Sequence, residues 1–468
     1  MPTNPLTSLR GRFGLGVSVR QRLLAIGDLL LLNVGLLAGL HLCRGLPLAP
    51  ATVTGHLAWF LSYSAIWTII ALAGDNYHGG RSAQPVTSLA GVAKAFVVTE
   101  LIYLAIPILT PPLPSARILL AGEMALRAAP LLVWRVLFAA IFTRVAFRRR
   151  AIIVGAGQAG RTVAEVLDAE EPAYLVAGFV DDDQAKAAAS IGGLPVLGRP
   201  ADLARLTDQL GATDIILAIT HAISSETVDQ LLRCYERGAR IVPMPHLYEQ
   251  VTGRIPVEHI GDRWLVSLPL DREPSPVYLV AKRLIDVVVS VIGIVVLAPF
   301  MPLIALAIKL DSPGPLFYRP ERLGRGGRPF RLWKLRTMVA DADRRGDPTF
   351  TSQGDSRITR IGRLLRGAHI DELPQFLNVL VGQMSLVGPR PERYVPELEA
   401  QIPFYRMRLA VRPGTAGWAL VKQGYAEGAE GTLVKLQYDL YYIKNQSLYL
   451  DFVIMIRTAV DMLFRRGR

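Results

Sequence analysis

Four apolar stretches, residues 23–42, 57–73, 89–109 and 118–142, each approach the roughly 20 residues that a helix needs to cross the hydrocarbon core of a bilayer. They constrain the first third of the chain to a bundle of four membrane spans. Asp28, Lys94, Glu100, Glu123, Arg127 and Arg135 interrupt them. Charges at that depth are costly unless paired, so pairing between helices is the expected arrangement, with a lipid path as the alternative. Asp28 and Asn33 break the first apolar run, and no small-residue cleavage motif follows it, so it reads as a span and not as a removable leader. Arg10, Arg12, Arg20 and Arg22 precede the first span, and Arg144, Arg148, Arg149 and Arg150 follow the fourth, which by the positive-inside rule puts both ends in the cytoplasm. The chain is 51% hydrophobic and 19% charged, against about 25% charged in an ordinary soluble protein.

Beyond the bundle the pattern changes. Residues 151–155 read AIIVG, and Gly155, Gly157 and Gly160 complete a GxGxxG that passes into a helical run over 161–167. Residues 176–183, 214–219 and 239–244 supply further strands, so the region to about Val266 reads as a Rossmann-type parallel sheet. Glycines so placed let a diphosphate approach a helix N-terminus. Asp181, the first acid ending the second strand, lies 26 residues past Gly155, beyond the usual distance of about 20. A bound nucleotide is one reading, and a structural or regulatory domain the other.

A fifth apolar segment, 284–308, carries Asp286 near its start and Pro299 and Pro302 in its middle, with Lys282, Arg283 and Lys309 at its ends. Residues 284–298 as a helix rise about 22 Å, short of the roughly 30 Å core, and Pro299 then removes a backbone donor. The segment is expected to form a re-entrant hairpin with both ends on the basic, cytoplasmic side. A straight fifth span is the alternative.

Residues 357–390, RITRIGRLLRGAHIDELPQFLNVLVGQMSLVGPR, place adjacent acids, Asp371 and Glu372, between Arg357, Arg360, Arg363 and Arg366 upstream and Arg390 downstream. Phosphoryl transfer asks a protein for positioning and charge neutralisation: guanidinium forks for the oxygens and a carboxylate as nucleophile or metal ligand. Leu373, Phe376, Leu377 and Leu380 recur at helical spacing, and Pro374 is tolerated in a first turn, so the acids should open a helix. Taken alone, Asp371 also fits a plain helix cap.

From about Val280 onward the chain resembles the bacterial sugar transferases, the monotopic phosphoglycosyl transferases. The matching blocks run in order: KRLIDVVVSVIGIVVLAP, SPGPLFYR, KLRTM at 334–338, DSRITRIGRLLR at 355–366, DELPQFLNVLVG, MSLVGPRPE, RPGTAGW at 412–418, and DLYYIKN. The resemblance implies that Asp371 attacks the sugar-bearing phosphate of a UDP-sugar, releases UMP and passes the hexose 1-phosphate to undecaprenyl phosphate. It implies Mg2+ held by Glu372, with Lys334, Arg336, Arg366, Arg390 and Arg412 around phosphate or nucleotide and Asp439 as a further acid. The region ahead of this domain resembles the nucleotide-binding-like domain of longer relatives. Together these give residues 1–146 as tail and four-helix membrane bundle, 147–266 as Rossmann-like domain, 267–279 as linker, and 280–468 as a mostly helical catalytic domain with its hairpin at 284–308. A hairpin in the cytoplasmic leaflet would bring the acids to headgroup depth, where a soluble donor meets a lipid acceptor. The expected location is the bacterial inner membrane with the soluble domains cytoplasmic.

The expected partners are UDP-sugar, undecaprenyl phosphate and membrane lipid, with a homodimer left open and no nucleic acid. Glucose and galactose both suit the donor. One departure is Gln383, where the family commonly has Asp; it keeps an oxygen acceptor but removes a charge, which puts a metal or capping role there in doubt. The run 448–464, followed by Arg465, Arg466 and Arg468, reads either as an interfacial helix or as a packed amphipathic one. Cys43 and Cys234 form no disulfide framework or metal pattern. Two rivals remain: an NAD-dependent nucleotide-sugar dehydratase or epimerase, prompted by the YxxxK pair Tyr278 and Lys282, and a non-catalytic scaffold of polysaccharide assembly.

Overall fold

In a computed structural model the described residues are 17–74, 76–77, 85–107, 110–114, 116–142, 148–186, 190–220, 223–259, 274–339, 342, 355–393, 396–423 and 428–464. Arg10, Arg12, Arg144, Val266, most of the 267–279 linker and Arg465, Arg466 and Arg468 lie outside them. The chain divides into two compact units, Met1–Asp262 and Arg263–Arg468.

The first unit opens with helices α1 (Val17–Arg44), α2 (Leu57–Ala73), α3 (Pro85–Leu104) and α4 (Arg117–Phe142). Three of these are long and apolar enough to cross a membrane. With 17 residues, α2 stands at the short end of the spanning range. The interrupting charges pair across the bundle. Arg135 of α4 holds Asp28 of α1, Arg127 of α4 holds Glu100 of α3 through two 2.8 Å bonds, and Arg44 of α1 reaches Glu123 of α4. Tyr63 of α2 adds its hydroxyl to Glu100 at 2.8 Å. These pairs favour interhelix pairing over an open lipid path; Lys94 is exposed.

The bundle is followed by β1 (Arg149–Val154), α5 (Gln158–Glu170), β2 (Tyr174–Val180), β3 (Ser190–Ile191), β4 (Leu194–Gly198), α6 (Leu203–Leu210), β5 (Asp214–Leu217), α7 (Ser225–Glu236), β6 (Arg240–Pro243) and α8 (Met244–Thr252). The sheet runs β3-β4-β2-β1-β5-β6, parallel except for the β3–β4 pair. It is the Rossmann-type order that the alternation of strands and helices predicts. Apolar residues of β1, such as Ile152 and Ile153, serve cores on opposite faces, as expected of a strand covered by helices on both sides. Gly155 has φ of +106°, and a Cβ on Gly160 would fall 2.0 Å from the Gly155 carbonyl oxygen, so both glycines are needed for strand and helix to meet this closely.

The second unit begins with α9 (Pro276–Leu297), a 3-10 turn at Ala298–Phe300, and α10 (Met301–Asp311). The two arms rest on different elements of the second unit. Arg283 donates to the carbonyls of Val379 at 2.6 Å and Leu380 at 2.7 Å, and a Cβ on Gly293 would enter the Phe376 ring at 2.4 Å. At the other arm Ile308 packs with Leu335 and Leu365, and Ile370 lies alongside. The 3-10 turn holds Pro299, and Pro302 stands in the first turn of α10. By length and composition Pro276–Asp311 is also long and apolar enough to cross a membrane. The outer surface of both arms is apolar and exposed, including Leu284, Ile292, Val296, Phe300, Leu303 and Leu310.

Short antiparallel pairs follow: β7 (Phe317–Tyr318) with β10 (Lys334–Leu335), and β8 (Glu321–Leu323) with β9 (Pro329–Arg331). Next come α11 (Arg360–Gly367), a 3-10 helix at Ile370–Gln375 and α12 (Phe376–Leu380). A parallel pair joins β11 (Ser385–Val387) to β12 (Gly414–Ala416), and α13 (Gly428–Lys444) and α14 (Leu448–Phe464) complete the unit. α14 packs one face against the unit, with Asp451, Val453 and Ile454 buried, and leaves the apolar Tyr449 and Phe452 exposed.

Candidate active site

The acid pair stands where four elements converge. α11 is capped twice, by its own Thr359 hydroxyl on the Gly362 amide at 2.9 Å and by Asp311, the last residue of α10, on the Ile361 amide at 2.8 Å. His369 then takes a left-handed turn with φ of +55°, a conformation that costs energy outside glycine and asparagine and persists where packing enforces it. It starts the 3-10 helix that carries Asp371 and Glu372 in its first turn. The α-helix expected to start at the acids begins at Phe376, because the proline at 374 has no amide to give and the tighter turn tolerates it.

The two neighbouring carboxylates are treated oppositely. Glu372 Oε1 accepts from Lys334 Nζ at 2.8 Å and from Arg390 Nη2 at 2.7 Å. Despite the cost of burial, these two cations hold its pKa well below the ordinary glutamate range. Asp371 is 7% exposed, and among the described residues its carboxylate carries no hydrogen bond or ion pair. Burial raises its pKa; Lys334 opposes that rise and the Glu372 charge adds to it. One acid is fixed in place, and the other is left uncommitted and poorly solvated. Neighbouring titratable groups driven apart in this way are a common mark of separate chemical roles.

The other residues expected around phosphate take different places. Lys334 and Arg390 flank the acids. Arg366 donates to the Thr337 hydroxyl at 2.8 Å and lies near enough to favour the charged form of Asp371. Arg336 is buried beside the end of α10, donating to the Ser312 carbonyl at 2.6 Å. Arg412 is exposed. Asp439 is fully enclosed and takes Arg408 Nη2 at 2.7 Å, while Arg408 Nη1 reaches Glu392 at 2.6 Å. Burial drives the Asp439 pKa up to about 6 even with Arg408 beside it.

Gln383 fills a structural place. Its Oε1 accepts from Asn378 Nδ2 at 2.8 Å, and the same Asn378 side chain bonds the Arg331 carbonyl and the Trp333 amide, tying α12 to the β9–β10 segment that delivers Lys334. Tyr278 and Lys282 both reach Asp451 of α14, at 3.0 and 2.8 Å, and Asp286 accepts from the Ser385 hydroxyl and the Leu386 amide. These contacts fasten α9 to the catalytic elements and remove the tyrosine–lysine pair from any dehydratase-like role. In the Rossmann-type domain Asp181 Oδ2 accepts the Ala156 amide at 2.6 Å and its other oxygen the Asp183 amide at 2.9 Å, with Lys186 3.3 Å away. The acid closes the glycine-rich loop that carries Gly157.

Sequence reasoning missed Arg408, Glu392 and Asn378. Glu392 follows Arg390 by two residues in GPRPE and was legible as part of that block, but Arg408 sits in YRMRLAVRPG without any periodic signal.

The profile of the bacterial sugar transferase family matches residues 277–465, and that of the PglD N-terminal domain matches 150–224. A UDP-N-acetylgalactosamine-undecaprenyl-phosphate N-acetylgalactosaminephosphotransferase of Aeromonas hydrophila is 44% identical over 50% of this chain and 54% of its own length. A UDP-glucose:undecaprenyl-phosphate glucose-1-phosphate transferase of Xanthomonas campestris pv. campestris is 36% identical over 58% of this chain and 57% of its own. The exopolysaccharide production protein PSS of Rhizobium leguminosarum bv. phaseoli is 39% identical, with 40% of this chain covering 97% of it. The chain belongs to the bacterial sugar transferase family. It spans little more than half the length of the first two relatives and nearly all of the shorter third one.

Proposed function

We propose that this bacterial sugar transferase moves a hexose 1-phosphate from a UDP-sugar to undecaprenyl phosphate, starting a lipid-linked polysaccharide. The observation that carries the reading is the unpaired, buried Asp371 beside a Glu372 locked by Lys334 and Arg390. An Asp371 oxygen attacks the sugar-bearing phosphorus, and the bond from that phosphorus to the bridging oxygen breaks, its electron pair leaving with UMP. A phosphate oxygen of the lipid then attacks the same phosphorus and breaks the aspartyl bond, restoring the carboxylate. Each step exchanges one phosphoanhydride-type bond for another, so no separate energy source is required. Lys334, Arg390 and Arg366 supply fixed positive charge near the phosphate, which is the main demand of phosphoryl transfer.

Mg2+ commonly uses one or two carboxylates together with substrate phosphates, and Asp371 and Glu372 fit so sparse a donor set. Among the described residues no larger cluster of metal-ligating side chains is found. Glu372 would hold the ion through the oxygen not shared by Lys334 and Arg390, and the ion would neutralise charge on the diphosphate. For the Rossmann-type domain the commitment of Asp181 to the Ala156 amide supports a structural or regulatory part.

The α9–α10 segment, interrupted by a 3-10 turn at Pro299 and with basic residues at its ends and exposed apolar residues along both arms, supports a re-entrant placement in the cytoplasmic leaflet. With Cys43 and Cys234 replaced by Ser, a lone cysteine at Pro315, just past α10, should resist a membrane-impermeant maleimide applied to the outer face of intact cells and react after permeabilisation. Labelling in intact cells would mean a fifth span. For the reaction itself, membranes supplied with a UDP-sugar and undecaprenyl phosphate should release UMP; UDP would indicate direct glycosyl transfer, and a change at 340 nm NAD chemistry. A donor panel of UDP-glucose, UDP-galactose and UDP-N-acetylgalactosamine would then fix the sugar.

A further inference from the structure

Lys334 stands on a strand too short to fix it. β10 has two residues and pairs along one edge only, with the equally short β7, in a two-stranded sheet. Alternation along it sends Leu335 into the cluster with Ile308 and Leu365 and Lys334 the other way, where Nζ meets Glu372 Oε1 at 2.8 Å. A ladder of this size does not by itself hold a side chain to the tolerance that the chemistry asks, since a misplacement of about 1 Å can cost about 100-fold in rate. Something outside the strand must locate it.

That fastening comes from α12. Asn378 is fully buried, and its side-chain amide uses both of its protons: Oδ1 accepts the Trp333 amide at 2.9 Å, while Nδ2 donates to the Arg331 carbonyl and to Gln383 Oε1, each at 2.8 Å. A backbone amide can only donate and a carbonyl can only accept, so the two main-chain partners fix which way round the Asn378 amide sits. Arg331 and Trp333 bracket the stretch of chain immediately before Lys334. The Trp333 ring is itself packed, with the Arg319 guanidinium 3.3 Å from its centroid and Phe317 meeting it edge-on at 5.2 Å. Gln383 is held in turn by its own backbone amide, which donates to the Asn378 carbonyl at 3.0 Å. Asn378 follows Glu372 on one continuous helical run. That run therefore grips the segment around Lys334 twice, through Asn378 on its backbone and through Glu372 on its charge.

We infer that Asn378 is a positioning residue for the transfer reaction proposed above, on which the inference rests: by fixing the backbone at Arg331 and Trp333 it holds the Lys334 ammonium against Glu372 and beside the phosphate that Asp371 attacks. Asn378 itself touches no substrate; its effect passes through Lys334. The same arrangement gives Gln383 the part of an acceptor that keeps the Asn378 amide occupied, which asks for an oxygen and not for a charge.

The test uses the full-length protein in nanodiscs. Asn378→Leu, of similar shape but without the three bonds, and Asn378→Ser, which leaves room for water to serve the freed main-chain groups, are each made alone and together with Lys334→Met. The donor is whichever of UDP-glucose, UDP-galactose and UDP-N-acetylgalactosamine the wild-type protein accepts. Single-turnover formation of the phosphosugar adduct should fall about tenfold in either Asn378 variant while Lys334 is present, and less than about twofold once Lys334 is gone, the non-additivity of residues that act as one unit. Labelling by an amine-reactive reagent, read by peptide map, should rise several-fold at Lys334 relative to Lys186 of the Rossmann-type domain. Asn378→Ser carries both comparisons where Asn378→Leu does not fold. An equal fold loss in the two backgrounds, wild-type loading in the Asn378 variants, or unchanged labelling at Lys334 would overturn the inference. Failure of the underlying reaction looks different: the wild-type protein would form no adduct and release no UMP, while the labelling of Lys334 still decides whether Asn378 places that lysine.

Discussion

Asp371→Asn should lower UMP release by at least about 10^4-fold, the scale on which removing a covalent nucleophile acts, while the melting temperature stays level or rises. The substitution keeps size and shape and removes only the attacking oxygen's charge. Glu372 cannot step in, because Lys334 and Arg390 fix its carboxylate and hold its pKa low, which makes it a weak nucleophile as well as an immobile one. The stability expectation follows from the opposite shift of Asp371. Its pKa is raised by burial, so the charged form is disfavoured in the folded protein relative to the unfolded chain. The contribution of this group to stability is greatest below the ordinary aspartate pKa and declines as pH rises through the raised value. At neutral pH an uncharged amide therefore relieves a cost. A variant with lowered melting temperature and substantial UMP release would reverse both halves of the expectation.

The largest loss of stability is expected at Arg408→Ala. Its guanidinium, 6% exposed, stands between Glu392 and Asp439, and Lys435 is 3.9 Å from Glu392. Removing one partner of a buried pair strands the other, which costs about 3–5 kcal/mol. In a domain of this size that corresponds to a melting shift on the order of 10 °C, followed through tryptophan fluorescence. Asp439 already titrates near pH 6 with Arg408 present, because burial penalises its charge. Without the arginine the penalty grows, so the deficit should shrink on acidification as Asp439 takes a proton in the folded state. An Arg408→Ala protein that melts with the wild type at pH 8 would show that the cluster does not support the fold.

Much of this architecture is legible in the chain because it rests on local, periodic signals. The apolar runs, the AIIVGAGQAG turn and the DELP segment each specify their element from a few adjacent residues, and the structure forms helices or strands at all three. Pro299 and Pro302 likewise mark the break between α9 and α10, since a missing amide acts wherever it occurs. What the chain hides is long-range pairing. Nothing near Arg408 signals that Glu392 and Asp439 will close on it, and Lys282 and Tyr278 meet Asp451 at sequence separations of 169 and 173. Arg336 and Arg366 share one motif-rich region yet differ in outcome, one turned to the end of α10 and the other to Thr337 near the acids, because Arg336 directly follows strand β10 while Arg366 lies on helix α11. Asp181 follows the same lesson: its place after β2 left a bound nucleotide as one reading, and in the fold its carboxylate accepts the Ala156 amide.

The most direct measurement is the intact mass and peptide map of the purified protein after incubation with a UDP-sugar in the absence of lipid acceptor. One phosphosugar on the peptide containing Asp371, lost on addition of undecaprenyl phosphate, is the predicted result. UMP release with no adduct, or an adduct on any other residue, would contradict a reaction that passes through Asp371.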